Sequence, residues 1–331
     1  MRTKRAPAPP GWWRRSFARR AASALCALSV VKLFFRACAS FARLRASNKG
    51  NDMGDIPGLP DLRFAGVDAA ALRLEGPRLS YMEAGNGAAP PLVLCHGIGS
   101  NSMGWRHVLA HFAPTRRVIA WNAPGYLMSD NLLTYAPAPE DYARALGALA
   151  DALGLGTFDL VGSSFGSMCA SAFTIANPGR VRRLVLLGAT RGLKNLPAEQ
   201  RIAMLRMREE SIAQGPIVFG ESRWKLLLSD SASPTAVEQV KNLLKATNRR
   251  SLLQSSQAIQ QTDQVEWAPK IAVPTLMATG SADKVTPVEA NAALIVKGLP
   301  NGRLVVIDGV GHLPKVEAPE KCCALIADHL A

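Results

Sequence analysis

The sequence predicts a doubly wound α/β domain: a mostly parallel sheet with helices on both faces and a helical insertion over one sheet edge. Three observations predict it. Short apolar or β-branched runs alternate with longer helical patterns. Several of those runs are almost wholly apolar, as strands covered on both faces must be. One interval, from about Gly192 to Trp267, holds no convincing strand and is too long for a crossover loop.

The expected strands, in order, are Leu79–Glu83, Leu92–Cys95, Arg117–Trp121, Phe158–Val161, Leu184–Leu187, Thr275–Thr279 and Leu304–Ile307. The expected helices are Asp141–Leu153, with Leu146, Leu149, Ala150 and Leu153 on one face, then Phe165–Ala176, Val288–Lys297 and Pro319–Leu330. Residues 192–267 are rich in Gln, Arg, Leu and Met and punctuated by Pro197, Pro216 and Pro234. They read as an inserted helical cap, with 53–191 and 268–331 as the core. Met204, Met207 and Trp224 are expected in the core of that cap.

Composition excludes some functions. With 48% hydrophobic and 19% charged residues the chain can bury a large core, so wholesale disorder is excluded. The net charge of +14 points at first to nucleic acid or an anionic membrane. Its location argues otherwise. Residues 1–52 hold 12 basic residues and one acidic one, Asp52, whereas the rest holds 27 basic and 24 acidic residues. The body is near neutral, and no nucleic-acid surface is expected on it.

Residues 1–52 stand apart. The uncharged run Ala21–Val31 is too short to span a membrane and resembles a signal-peptide core. Arg14-Arg15-Ser16-Phe17 resembles a twin-arginine signal and Ala37-Cys38-Ala39 a cleavage site, but Lys32 and Arg36 break the apolar stretch early. Three readings stand: an upstream segment before a true start at Met53, a targeting signal, or a basic arm contacting a membrane surface. A cytoplasmic protein is expected, with export or an organelle as the alternative if the segment is a genuine signal. Cys95, Cys169, Cys322 and Cys323 in the body are expected as free thiols.

The chemistry concentrates at strand ends. Gly162-Ser163-Ser164-Phe165-Gly166 lies between an expected strand and an expected helix. A nucleophile on such a turn needs a strained backbone at Ser164 and small neighbours, hence Gly162 and Gly166. The helix N-terminus then lies beneath any negative charge that develops. A serine nucleophile needs a base, and the base needs an acid to orient it. Of the five histidines, His312 sits in a loop just past the strand Leu304–Ile307 and is the best base. His107 and His111, four apart on one helix, read as structural or surface residues, and His329 as exposed. Asp283, just past Thr275–Thr279, is the expected acid; Asp308 is the rival and reads as structural. The oxyanion donors are expected to be the N–H groups of Phe165 and of Ile98 in His96-Gly97-Ile98-Gly99, where Gly97 lets backbone approach substrate. His96 then supports the loop.

These residues resemble the α/β-hydrolase superfamily over nearly all of 75–331. The resemblance rests on His96–Gly99, Trp121-Asn122-Ala123-Pro124-Gly125-Tyr126, the elbow at 162–166, Asp283 and the segment Gly311–Glu317. It implies an α/β-hydrolase fold with an eight-stranded sheet, and a relation to esterases, enol-lactonases and carbon–carbon-bond hydrolases. Two departures stand out. Asn122 replaces an Asp that serves the family as a turn partner, so a modest stability cost is expected. Leu313 and Pro314 follow His312 where the carbon–carbon hydrolases typically carry a Trp, which favours an ester or lactone. The expected activity is ester or lactone hydrolysis through an acyl-enzyme on a small-molecule substrate, with no cofactor or metal implied. Carbon–carbon or thioester cleavage is the first alternative, and a non-catalytic ligand-binding homologue the second. The oligomeric state is not encoded in any motif.

Overall fold

The computed structural model describes residues 56–331, so the expectations for residues 1–52 lie outside it. Strands β1 (Leu62–Gly66), β2 (Arg78–Cys95), β3 (Arg116–Trp121), β4 (Phe158–Ser163), β5 (Val181–Leu187), β6 (Thr275–Gly280) and β7 (Gly302–Ile307) form one sheet. Its order is β1-β2-β4-β5-β6-β7, with β3 pairing β2. From β2 through β4, β5 and β6 to β7 the pairing is parallel, and β1 joins β2 antiparallel.

The sheet has seven strands among the described residues, not the eight expected. The sequence separates Leu79–Glu83 from Leu92–Cys95, but both belong to the continuous strand β2. Its first limb runs antiparallel to β3, from Tyr81↔Trp121 to Ala84↔Val118. After several register shifts, Leu92, Val93 and Leu94 meet Val118, Ile119 and Ala120, residue numbers now rising together. Strand β3 is thus held between two limbs of one strand. Strand β1 was not expected, because it is an edge strand with only Ala65 buried and no apolar run to mark it.

Alternation along each strand feeds two cores. Val93, Leu160, Leu184, Leu186 and Met277 face one side, packing with helices α3 (Pro139–Ala152) and α4 (Phe165–Ala176). Leu92, Leu94, Val161, Val185 and Leu276 face the other, packing with α2 (Arg106–Phe112) and the C-terminal helix α12 (Pro319–Leu330). Helix α1 (Ala69–Leu72) is a single capped turn before β2. The four cysteines expected as free thiols are free and buried.

Between β5 and β6 lie helices α5 (Ala198–Ala213), α6 (Pro216–Leu227), α7 (Pro234–Lys245), α8 (Arg249–Gln260) and α9 (Gln264–Trp267). The prolines expected as punctuation sit at helix starts: Pro197 just before α5, and Pro216 and Pro234 in the first turns of α6 and α7. Ile212, Phe219, Val240, Leu244 and Leu252 form a third core that also takes in Leu313 and Val316. Helix α9 already packs on the sheet layer: Gln264 hydrogen-bonds Ser167 and Ser171 of α4. Beyond β6 come α10 (Ala292–Val296) and α11 (Pro314–Glu317). Among the described residues no helix is long and apolar enough to cross a membrane.

Asn122 is fully buried after β3. Its Oδ1 accepts from Ser102 N–H at 2.7 Å and its Nδ2 donates to Ser80 Oγ at 3.0 Å. The amide uses both its acceptor and its donor, a pairing a carboxylate could not reproduce. Asn122→Leu leaves the Ser102 N–H buried without an acceptor, at a cost of about 1–3 kcal/mol. Urea denaturation should show a lower midpoint with an unchanged slope, and Asn122→Asp, which keeps the acceptor, should fall between that variant and wild type.

Candidate active site

The site forms where β2, β4, β6 and β7 end. Ser164 links β4 directly to α4 at φ 54° and ψ −119°, a left-handed conformation that costs a non-glycine residue strain. Small neighbours make room for it. A Cβ at Gly166 would lie 2.2 Å from the Cys95 carbonyl oxygen, and one at Gly162 would lie 2.4 Å from the Gly166 carbonyl oxygen. Both contacts are with backbone, so no rotamer change relieves them. A Cβ at Gly97 would lie 3.1 Å from Ser164 Cβ. The turn is pinned at both ends: Ser164 N–H donates to Leu187 O of β5 at 2.9 Å, and Ser164 O accepts from Ser167 N–H at 2.8 Å.

Asp283 and His312 meet as expected. Asp283 Oδ2 is 2.8 Å from His312 Nδ1, and both side chains are buried. The other carboxylate oxygen accepts the N–H groups of Val285 and Thr286, each at 2.8 Å. Thr286 Oγ1 donates to Asp283 Oδ2 at 2.6 Å. Burial works against the charged carboxylate, but the His312 hydrogen bond and charge and the Thr286 donors outweigh it, holding its pKa down to about 2. With Asp283 ionised, Nδ1 of His312 carries the proton of that bond. Asp308 takes no part; it accepts from Ser281 Oγ at 3.1 Å.

The His312 loop is tied to the inserted helices. His312 N–H donates to Leu227 O at the end of α6, at 2.9 Å. Glu317 accepts from Gly311 N–H at 3.0 Å and from Ser229 N–H at 3.2 Å. Two side chains that the sequence reading gave no role, Thr286 and Glu317, therefore brace the pair. Glu317 had a signal in the Gly311–Glu317 segment; Thr286 had none beyond its place three residues after Asp283.

Lys315 was also missed. It is buried, its ammonium donates to Ser163 Oγ at 2.8 Å, and it stands 4.8 Å above the Trp105 ring. Burial pushes its pKa down to about 8. It ties α11, just past His312, to the residue preceding Ser164.

The remaining histidines separate clearly. His96 is buried; Ala123 N–H donates to its Nε2 at 3.0 Å, so Nδ1 is the protonated nitrogen and donates to Gly97 O at 2.8 Å. Burial lowers its pKa to about 4 and keeps it neutral. His107 is half-buried and His111 exposed on α2. His329, expected to be exposed, is buried on α12 with Nε2 3.2 Å from Pro274 O, because the last helix packs that face against the start of β6.

Ser164, His312, Gly97 and Ile98 line one cavity of about 630 Å³ beneath the inserted helices. Asp283 stands behind His312. The Phe165 ring points away, edge-on to Tyr142 at 4.9 Å, leaving only its backbone N–H at the start of α4. Neither that N–H nor the Ile98 N–H has an acceptor among the described residues. Met204 and Met207, expected in the cap core, line the cavity instead, whereas Trp224 packs against the third core.

This fold, with a serine elbow and a buried His–Asp pair at the same edge of the sheet, is that of the α/β hydrolases. The chain belongs to that family: the model for the alpha/beta hydrolase fold matches residues 90–319. Among curated relatives, it is 28% identical over 263 residues to 2-hydroxy-6-oxononadienedioate/2-hydroxy-6-oxononatrienedioate hydrolase 1 of Dechloromonas aromatica, covering 76% of this chain and 90% of that one. It is 30% identical over 259 residues to 2-hydroxy-6-oxo-2,4-heptadienoate hydrolase of Pseudomonas putida, covering 74% and 90%. Among solved structures, a thermophilic esterase from Thermogutta terrifontis has the same fold, with a TM-score of 0.70 at 22% identity, covering 81% and 97%.

The depressed pKa of Asp283 has a sign. Its ionised form adds stability above the ordinary value of 3.8, and that contribution is lost as pH falls through about 2. Unfolding free energies of wild type and Asp283→Asn, measured against pH, should diverge between about 2 and about 4, wild type gaining as pH rises. Parallel curves through that window would contradict an ionised Asp283.

Proposed function

We propose that the chain is a serine hydrolase that cleaves a carboxylic ester or lactone through an acyl-enzyme. The observation that carries this is the strained Ser164 on the wall of the cavity that His312 also lines, with Asp283 bonded to the far side of the imidazole.

The geometry supports the following steps. Ser164 Oγ attacks the substrate carbonyl carbon as His312 Nε2 takes its proton. Asp283 holds the imidazole in the tautomer that leaves Nε2 free to accept, and stabilises the imidazolium. The oxyanion takes the Ile98 and Phe165 N–H groups, which have no acceptor among the described residues. His312 then returns the proton to the departing alkoxide, leaving an acyl-serine. Water attacks that acyl group with His312 as base, releasing the acid and restoring Ser164. Gly97, Gly162 and Gly166 let the loop and elbow approach this closely. Residues 192–267 serve as the cap that closes the cavity, on a core of residues 53–191 and 268–331.

A second reading, hydrolysis of a carbon–carbon bond beside a carbonyl, is favoured by the names of the two curated relatives above. Leu313 stands beside His312 where that branch typically carries a Trp, and ranks this reading second. Substrate preference separates them. A panel of short p-nitrophenyl esters and lactones is expected to be turned over better than a 2-hydroxy-6-oxo dienoate, and the reverse preference would overturn the ranking. Ser164→Ala should lower kcat by about 10⁴-fold or more on any productive substrate. An unchanged rate would rule out the acyl-enzyme.

A further inference from the structure

The cavity wall carries a charge pattern that ester cleavage alone does not require. Its lining is dominated by Leu, Met, Ile and Phe side chains from the inserted helices. Four cationic side chains interrupt it: Arg191, Lys284, Arg208 and Arg223. The first two are neutralised. Arg191 grips Asp263 through two nitrogens, the closer at 2.6 Å, and Lys284 meets Asp230 at 2.7 Å.

Arg208 on α5 and Arg223 on α6 are different. Neither has an ion pair or a hydrogen bond among the described residues, and both are half-buried. Arg208 Nη1 is buried without any partner. Burial, and then the charge of Arg223, bring the Arg208 pKa down to about 10, still well above neutrality. Two cationic groups without a partner among the described residues thus line one largely apolar cavity. An unpaired buried cation is costly, and a second one beside it adds repulsion. The arrangement becomes favourable when an anion enters between them. Two planar guanidinium forks suit a carboxylate, which accepts two parallel N–H bonds from each.

The position suits a substrate group remote from the reacting carbon. Both arginines come from the inserted helices, whereas Ser164 stands on the elbow after β4, on the sheet side of the same cavity. We propose that Arg208 and Arg223 form a carboxylate subsite, so that the substrate is an acid ester or lactone carrying a carboxylate away from the scissile carbonyl. This rests on the serine-hydrolase reading for the reacting end, but not for the binding of the anion.

Two measurements test it. The first compares the p-nitrophenyl ester of pentanoic acid with mono-p-nitrophenyl glutarate, which differ in their terminal methyl and carboxylate. Wild type is expected to favour the glutarate ester in kcat/KM by about 10- to 100-fold, the range of charge-assisted hydrogen bonds to one carboxylate. In Arg208→Leu/Arg223→Leu the ratio should fall to about one. A merely structural loss would lower both esters alike and keep the ratio, which would overturn the subsite, as would equal rates in wild type. The second measurement needs no turnover. Glutarate binding to Ser164→Ala by calorimetry should weaken by 10-fold or more when both arginines are replaced by leucine. Binding without hydrolysis of either ester would support the subsite while refuting the ester reading. No binding and no glutarate preference would refute the subsite.

Discussion

A serine held at φ 54° between the end of β4 and the first turn of α4 is the constraint around which the rest of the molecule is arranged. Such a backbone costs about 1–3 kcal/mol and persists only where its surroundings over-determine it. Here they do. Strand β4 is buried along its whole length, the Ser164 amide is committed to β5, and the next helix is almost entirely internal. Gly166 lies against the end of β2 with no room for a methyl group, so the loop after β2 and the elbow share one backbone contact. That contact brings Ile98 to the same cavity wall as Ser164.

The second dependence runs through the loop after β7. It carries His312, and its amides are satisfied partly by the inserted helices: His312 by Leu227, and Gly311 by Glu317, which also holds Ser229. Leu313 and Val316 enter the same apolar cluster as Phe219 and Leu244. The groups that would bind substrate and the loop that would move its proton therefore share a packed boundary. A substitution in α6 or α7 that shifts Leu227 acts on His312 without touching it. Lys315 adds a link on the sheet side, joining that loop to Ser163 beneath the nucleophile.

Features with short-range signatures were legible in the sequence. The apolar strands β4 and β6, the glycine-flanked serine and the residues just past β6 and β7 could be read from local pattern and order, because each depends on neighbours within a few positions. Features set by long-range packing were not. The continuity of β2 depends on how it wraps β3, and β1 is an edge strand without an apolar run. His329 looked exposed because the docking of α12 against β6 leaves no mark in a terminal helix. The isolation of Arg208 and Arg223 follows from which acids the other cations claim, and that is a property of the folded cavity alone.

The claim that Ser164 is the nucleophile on which this cavity converges is tested most directly by covalent capture. The protein is treated with a fluorophosphonate, weighed intact, and digested to locate the adduct. One equivalent is expected on Ser164, with labelling abolished in Ser164→Ala and slowed by orders of magnitude in a folded His312→Ala. No adduct on the wild-type chain, or an adduct at another serine that survives Ser164→Ala, would contradict it.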